Sequence, residues 1–523
     1  MLPVNSNPLR NNGLDGTKDW SKVLKSIEEK NIFQIEKLNW NFKNTYSELP
    51  SRFFQKITPT KVAKPKLIKL NQNLAKTLGI DCSNLKSFTD IFSGNLLPRT
   101  SKPLAMAYAG HQFGHFVNQL GDGRAILLGE LANNSGNLFD IQLKGAGKTM
   151  FSRQGDGRSA LGPAIREYIL SESMYSLGIP STRALALVAT GEKVFRESIL
   201  PGAITTRVAS SHIRVGTFQY FAFKKDIEAL RILADYTIDR HCPEIKNEKQ
   251  PYLELLKLVC SKHASLVANW MNIGFIHGVM NTDNTTISGE TIDFGPCAFL
   301  DIYNSSKVFS SIDQFGRYSY SNQPLIAQWN LARFAEALIP IINLDEKICI
   351  KLVTEIISEF FHDYKNNWMQ GIRKKLGLLS KKTNDEKLVK ELFETMEKNK
   401  LDFTLTFRLL NSYIETNQRQ KISDIEIPNS LNSWVKKWMH RINEEKLDSH
   451  LRLEIMKKSN PVCIPRNHRI EEVIKSATND LNFEPFEKLL QAMSNPFEKS
   501  DITINYSKPP KDYEVVQETF CGT

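Results

Sequence analysis

The chain has 523 residues, of which 41% are hydrophobic and 24% charged, with a formal net charge of +11 and a pI of about 9.1. This is the composition of a globular protein with room for about two to four domain-sized units, and no stretch reaches the roughly eighteen apolar residues that a membrane-spanning helix needs. The seven cysteines (82, 242, 260, 297, 349, 463, 521) are scattered without a C-x-x-C pair, which excludes a disulfide framework and a cysteine-ligated metal and suits a reducing compartment.

Taken in chain order, the first forty residues lack an apolar signal core and carry Asp15, Asp19, Glu28 and Glu29. The expectation is a cytoplasmic protein, or a mitochondrial one in a eukaryote. Residues 1–100 show only short helical patterns and turn signals, and read as an N-terminal extension packing on the core. From 104 to 223 glycines become dense. The runs AILLGEL (125–131) and NLFDIQL (137–143), joined through Asn-Asn-Ser-Gly, predict a β-hairpin. Between 159 and 179 the period turns helical, with Leu161, Ala164, Ile165, Tyr168 and Ile169 on one face and Pro163 in the first turn. Beyond about 225 amphipathic helices dominate as far as a proline-rich break at 461–465. The tail from Ser507 reads as extended or mobile. These changes of texture divide the chain into 1–100, a sheet-rich 101–200, a helical 201–400 and a C-terminal helical region 401–523 with its tail, and predict a ligand cleft between a sheet-rich and a helix-rich half. Much of the excess charge is lysine alternating with glutamate in 374–400, a solvated helix face. No basic stripe interleaved with aromatics supports a nucleic-acid groove.

The string GAGKT (145–149) advertises a P-loop, but position 142, where that pattern needs its first glycine, holds Gln142, and MFSRQGDGRS after Thr149 continues as loop. Two copies of GDGR, at 121–124 and 155–158, offer bare backbone N–H groups to phosphate. Lys144 at the end of the second hairpin strand competes with Lys148 as the phosphate lysine. In a kinase-like arrangement such a lysine pairs with a glutamate of the next helix, where Glu167 and Glu172 are available and Glu167 flanks the apolar face. In GFIHGVMNTDNTTISGETIDFG (274–295), aligning His277 with the histidine of the kinase catalytic loop puts Asn284 on the metal-binding asparagine and Asp293-Phe294-Gly295 on the DFG. Val279 then stands where the catalytic aspartate belongs, and Asp283 is the one carboxylate in the loop able to replace it. Arg207 and Arg214, seven residues apart, can converge on phosphate from one face of a helix or loop.

Together YAGHQFGHF, GDGRA, LKGAGKT, SRQGDGRSAL, IREYILSE, LGIPSTRAL, TRVASSHIRVGTF, HGVMNTDN, TIDFGP, GRYSYSNQP and WNLARFAEAL resemble the selenoprotein O family of pseudokinases. The resemblance implies an α+β, protein-kinase-like two-lobed fold with additional C-terminal helices. It also implies a protein adenylyltransferase that binds ATP inverted and, with Mg²⁺ or Mn²⁺, transfers AMP to hydroxyl side chains of protein substrates. The implied nucleotide contacts are Gly121, Gly123, Arg124, Lys144, Asp156, Gly157, Arg207 and Arg214, with Glu167 as the ion-pair partner. Asp283 is the implied proton acceptor, and Asn284 and Asp293 the metal ligands. No membrane or nucleic-acid partner is expected, and the chain is expected to be a monomer. The family usually has tyrosine at the position of Phe294, and some members have selenocysteine where this chain has Cys521. A disulfide from Cys521, most simply to Cys297, is a further expectation. A conventional kinase, a uridylyltransferase using UTP and an inactive nucleotide-binding scaffold are the alternatives.

Overall fold

A computed structural model of the chain describes residues 40–82, 85–416, 429–445 and 448–520. The sheet comes first. Its strands are β1 (Phe54–Lys56), β2 (Lys66–Leu70), β3 (Leu104–Met106), β6 (Ala125–Ala132), β7 (Leu138–Lys144), β9 (Arg183–Phe195) and β10 (Ile199–Ala209), paired antiparallel in the order β1-β3-β6-β7-β10-β9-β2, with the short β8 (Ser159–Ala160) on β10. A separate two-stranded hairpin, β4 (Gly110–Gln112) and β5 (His115–Val117), stands apart from it. The hairpin expected at 125–143 is β6–β7.

Alternation along β7 decides what each face of the sheet does. Ile141 and Leu143 join Ile126, Leu128, Ile204 and Val208 in a core under helices α1 (Gln72–Thr77) and α2 (Leu85–Phe92), which contribute Leu74, Ala75, Phe88 and Phe92. Asp140, Gln142 and Lys144 alternate with these residues and so lie on the opposite face, which carries α3 (Leu161–Ser176). Helix α3 is buried almost all round, because helices from residues 467–479 and 484–494 fold back over it. Arg166 pairs with Glu471, and Tyr168 meets Phe486 edge-on at 5.5 Å.

The helical remainder includes α4 (Val215–Phe223), α5 (Ile227–His241), α6 (Pro251–Asn272), α7 (Gln323–Leu338) and α8 (Glu346–Lys375). Its core is continuous with the α3 face of the sheet. No helix among the described residues is long and apolar enough to cross a membrane.

Three expectations are corrected. The segment before residue 100 does not merely pack on the sheet but supplies both of its edge strands, β1 and β2. Between them residues 57–64 run as a strap in which Ile57 N–H donates to Pro103 O (3.2 Å), Thr60 N–H to Ala146 O (2.8 Å) and Lys64 N–H to Thr190 O (3.1 Å). The sheet also does not stop at residue 200: the long β9–β10 hairpin carries it to Ala209, so Arg207 is a strand residue while Arg214 is the N-cap of α4, on separate elements. The third concerns the tail, which is held up to the last described residues. Thr519 is buried, its N–H donates to Phe309 O (2.7 Å), its carbonyl accepts from Ser311 N–H (3.1 Å), and its hydroxyl donates to Pro296 O. Cys521 lies outside the described residues. Cys297 is buried, and its thiol is pushed up by burial despite nearby Arg166.

Candidate active site

A cavity of about 290 Å³ opens between the sheet face bearing Lys144 and the segments 279–293. Gly121, Gly123, Arg124, Lys144, Asp156, Gly157, Arg207, Arg214, Asp283, Asn284 and Asp293 all line it. Glu167 lies behind Lys144. The sequence scatters these residues over more than 170 positions, and the register of the sheet brings them together. Lys144 pairs with Thr205 and Gln142 with Arg207 across β7 and β10, so Lys144 and Arg207 are diagonal neighbours on one face.

From there the two cations reach the same two carboxylates. Lys144 Nζ lies 2.6 Å from Glu167 Oε2 and 2.7 Å from Asp293 Oδ1. Arg207 donates through Nε to Glu167 and through a terminal nitrogen to Asp293 Oδ1 at 3.0 Å. Burial pushes both carboxyls up, but the cations outweigh it: Lys144 and Arg207 hold Asp293 well below the usual carboxylate range, and Arg207 and Lys144 lower Glu167. The rival Glu172 is occupied elsewhere, accepting from Arg183 at 2.8 and 2.7 Å and from Asn71 at 2.7 Å, and so fixes the start of β9.

Asp293 has φ +67°, a left-handed conformation that costs a non-glycine residue and is held by its surroundings. His277 contributes by bonding Ile292 O through Nε2 at 2.9 Å. Asn284 donates to Val279 O (3.1 Å), leaving its amide oxygen as an acceptor, while Val279 is itself buried. Asp283 is buried, and among the described residues its Oδ1 has no hydrogen-bond partner; Oδ2 accepts from Gln112 at 3.3 Å. Burial pushes this carboxyl up to about 6, against the opposing hydrogen bond from Gln112 and the charge of Arg214.

The glycine loops form the other wall. Gly147 N–H donates to Gly157 O (3.0 Å), and a Cβ on Gly147 (φ +120°) would lie 2.3 Å from the Thr60 hydroxyl oxygen. The glycines of GAGKT therefore let the loop seat against the strap, and Lys148 is exposed and absent from the cavity wall. The two GDGR copies diverge in use. Arg124 and Arg158 both line the cavity, but Arg158 also reaches back to the carbonyls of Thr60 and Lys61, both at 3.2 Å. Asp156 is clasped by Arg196 at 2.9 and 3.0 Å, and that pairing lowers its pKa.

Several lining residues escaped the sequence reading, among them Arg196, Asp122, Tyr108 and Gln112. Arg196 sits at the tip of the β9–β10 hairpin. Asp122 accepts from Met106 N–H and Gln142 Nε2, both at 3.1 Å. Tyr108 lies under Arg214 at 4.3 Å, and Gln112 reaches Asp283. Tyr108 and Gln112 were visible within YAGHQFGHF, and Asp122 within GDGR, but nothing in the order of residues shows which way those side chains turn.

This chain matches the family described as protein adenylyltransferase SelO over residues 36–494. It belongs to that family. Relatives of this chain include the protein nucleotidyltransferase YdiU of Rhizobium meliloti (strain 1021), 53% identical over 487 residues that cover 92% of this chain and 99% of the relative. Those of Bacillus mycoides (strain KBAB4), 53% identical with coverage of 92% and 98%, and Bacillus thuringiensis (strain Al Hakam), 52% identical with coverage of 93% and 99%, are similar. Within this cavity the hard oxygen donors of Asn284 and Asp293 fit Mg²⁺ or Mn²⁺, which take carboxylate and carbonyl ligands together with substrate phosphates. No cluster of three or more His, Cys, Asp or Glu with metal-site geometry occurs among the described residues.

The two lysines give a direct test of this geometry. Lys144→Ala is expected to cut AMP transfer by about 10²-fold or more, the usual cost of losing a preorganised charge at a reacting phosphate. Lys148→Ala should stay within about twofold of wild type, because an exposed side chain off the cavity wall is seldom missed. Steady-state rates of the two variants decide, and the reverse ranking would return GAGKT to the centre of the site.

Proposed function

We propose that this chain transfers the AMP group of ATP to serine, threonine or tyrosine hydroxyls of other proteins. The observation that carries the proposal is the pairing of a buried Asp283, one of whose oxygens has no hydrogen-bond partner among the described residues, with Asn284 and Asp293 in one cavity, while the usual position of a kinase base is the apolar Val279. With the sheet-bearing half and the helical half read as the two lobes of a kinase-like fold, Lys144, Arg207, Arg214 and Arg124 bind and orient the phosphates, and the backbone of Gly121, Gly123 and Gly157 lies against them. Asp283 accepts the proton of the acceptor hydroxyl as its oxygen attacks the α-phosphorus; the bond from that phosphorus to the bridging oxygen breaks, and pyrophosphate leaves with the bond electrons. Asn284 and Asp293 would hold Mg²⁺ or Mn²⁺, which supplies charge neutralisation for the phosphates. Fixed cations in a partly dehydrated cavity suit this reaction, since phosphoryl-type transfers depend mainly on positioning and electrostatics.

The test uses purified protein and ATP labelled on either the α- or the γ-phosphate. Label from the α position is expected on protein, with none from the γ position. Transfer of γ label alone would make the protein a conventional kinase, and α label from UTP in preference to ATP would make it a uridylyltransferase.

A further inference from the structure

Three of the segments singled out in the sequence have no part in holding nucleotide: YAGHQFGHF (108–116) beyond Tyr108 and Gln112, GRYSYSNQP (316–324) and WNLARFAEAL (329–338). The fold brings all three together beside Asp283. The β4–β5 hairpin is bolted to the catalytic loop: His111 N–H donates to Thr282 Oγ1 (2.7 Å), and Phe113 N–H reaches both Asn281 Oδ1 and the Tyr318 hydroxyl at 3.1 Å. The Tyr318 hydroxyl in turn donates to Asn281 Oδ1 at 2.7 Å, and the Gln219 amide bridges the His111 ring (2.9 Å) and the Thr282 hydroxyl (2.6 Å). A Cβ on Gly110 would stand 2.5 Å from Asp283 Oδ1. The hairpin therefore holds a fixed position relative to the proton acceptor.

Outward from that anchor runs a connected ridge of rings. Trp329 meets His111 at 5.1 Å, His111 meets Phe116 at 4.9 Å, and Phe116 meets Phe223 at 5.3 Å. Phe116 is 37% and Phe223 54% exposed, and clustered exposed aromatics of this kind mark contact surfaces. Arg317 and Arg333 flank Trp329 at 4.9 and 5.0 Å. Arg333 is paired with Glu336 at 2.7 Å, but Arg317 meets no carboxylate among the described residues and its buried Nε has no hydrogen-bond partner. Acids of the adjoining stretches are engaged as well: Asp226 pairs with Arg52 at 2.9 Å, and Asp313 accepts from the backbone N–H groups of Arg317 and Tyr318. Lys224 and Lys225 are exposed and add positive charge.

We propose that this ridge is the docking surface for the acceptor protein, taking an extended segment that places an apolar side chain over Phe116 and Phe223 and a carboxylate on Arg317 while its hydroxyl reaches Asp283. The inference rests on the AMP-transfer reading and adds the class of acceptor: acidic, apolar-flanked hydroxyl segments. Aromatic and arginine residues at the centre of a patch supply most of the binding energy in protein interfaces, and complementary charge selects among partners.

The test measures α-label incorporation from ATP into two peptides that share a central threonine and a nearby phenylalanine, one flanked by glutamates and the other by lysines. Wild-type protein is expected to favour the acidic peptide in kcat/KM by roughly two- to fivefold, the size of one partly exposed ion pair. Arg317→Glu should reverse the preference, a gain that a misfolded variant cannot produce. Phe116→Ala should raise KM for both peptides and leave KM for ATP unchanged. Equal use of the two peptides by wild type and Arg317→Glu, or an unchanged peptide KM in Phe116→Ala, overturns the surface while leaving AMP transfer standing. Labelling confined to the chain itself and lost on dilution gives the ridge to a second copy and overturns the acceptor assignment. Absence of α label on every acceptor, the chain included, overturns the AMP-transfer reading and the surface with it.

Discussion

Asp293→Ala is expected to lower AMP transfer by more than about 10³-fold, the largest effect of any single substitution in the cavity. The expectation follows from the double use of one carboxylate. Asp293 Oδ1 is shared by Lys144 and Arg207 at 2.7 and 3.0 Å, and these cations hold its carboxyl well below the usual range. Its removal takes away the charge that a divalent ion would share with the phosphates. It also leaves two cations facing Glu167 alone. The sign of a second measurement is therefore fixed: metal-free ATP should bind Asp293→Ala at least as tightly as wild type by calorimetry, because the cavity has become more positive. An Asp293→Ala protein that kept more than about a tenth of the wild-type rate, with its melting temperature intact, would remove Asp293 from the role given to it.

Asp283→Asn is expected to lower kcat by about 10²–10⁴-fold, the usual contribution of a general base, with KM for ATP nearly unchanged. The wild-type pH profile provides a separate check. Burial pushes the Asp283 carboxyl up to about 6, and a base works only when deprotonated. Plots of kcat/KM should thus fall with unit slope as pH drops through about 6 and level off above it. That acidic limb should vanish in Asp283→Asn, whose residual rate has no such group to titrate. A limb that persisted in the variant would assign the titration to another residue.

The chemistry of the site was more legible in the sequence than its architecture. Lys144, Asp283, Asn284 and Asp293 stand out because their residue types and spacing match the short motifs of kinase-like sites. Every residue named as a nucleotide or metal contact lies on one cavity, with Glu167 directly behind it. The long hairpin over residues 183–209 was not legible. Its strands RALALVATGEKVF and ILPGAITTRVA are buried on both faces over much of their length, so the alternation that betrays a half-exposed strand is erased. Missing the hairpin hid Arg196 at its tip and put Arg207 on the wrong kind of element. The edge strands Phe54–Lys56 and Lys66–Leu70 were hidden for a different reason: three to five residues carry too little pattern to be told from loop. Gln112 illustrates a third limit. Its importance depends on a 3.3 Å approach to a residue 171 positions away, which only the folded chain displays.

The strap between the two edge strands gives the sheet an unusual mechanical layout. One short stretch of backbone, residues 54–70, closes both margins of the sheet and on its way across supports the loop of Gly147 and Gly157 through Thr60 and Lys61. Edge strands of a few residues open at low cost compared with the centre of a sheet. One margin rests on the pairing of Phe54 to Met106 and the other on that of Lys66 to Ala189, whereas β6, β7 and β10 hold one another by longer ladders. Opening these few bonds would take the backing from the glycine loop before the centre of the sheet gave way, like a fuse placed ahead of the machine it protects.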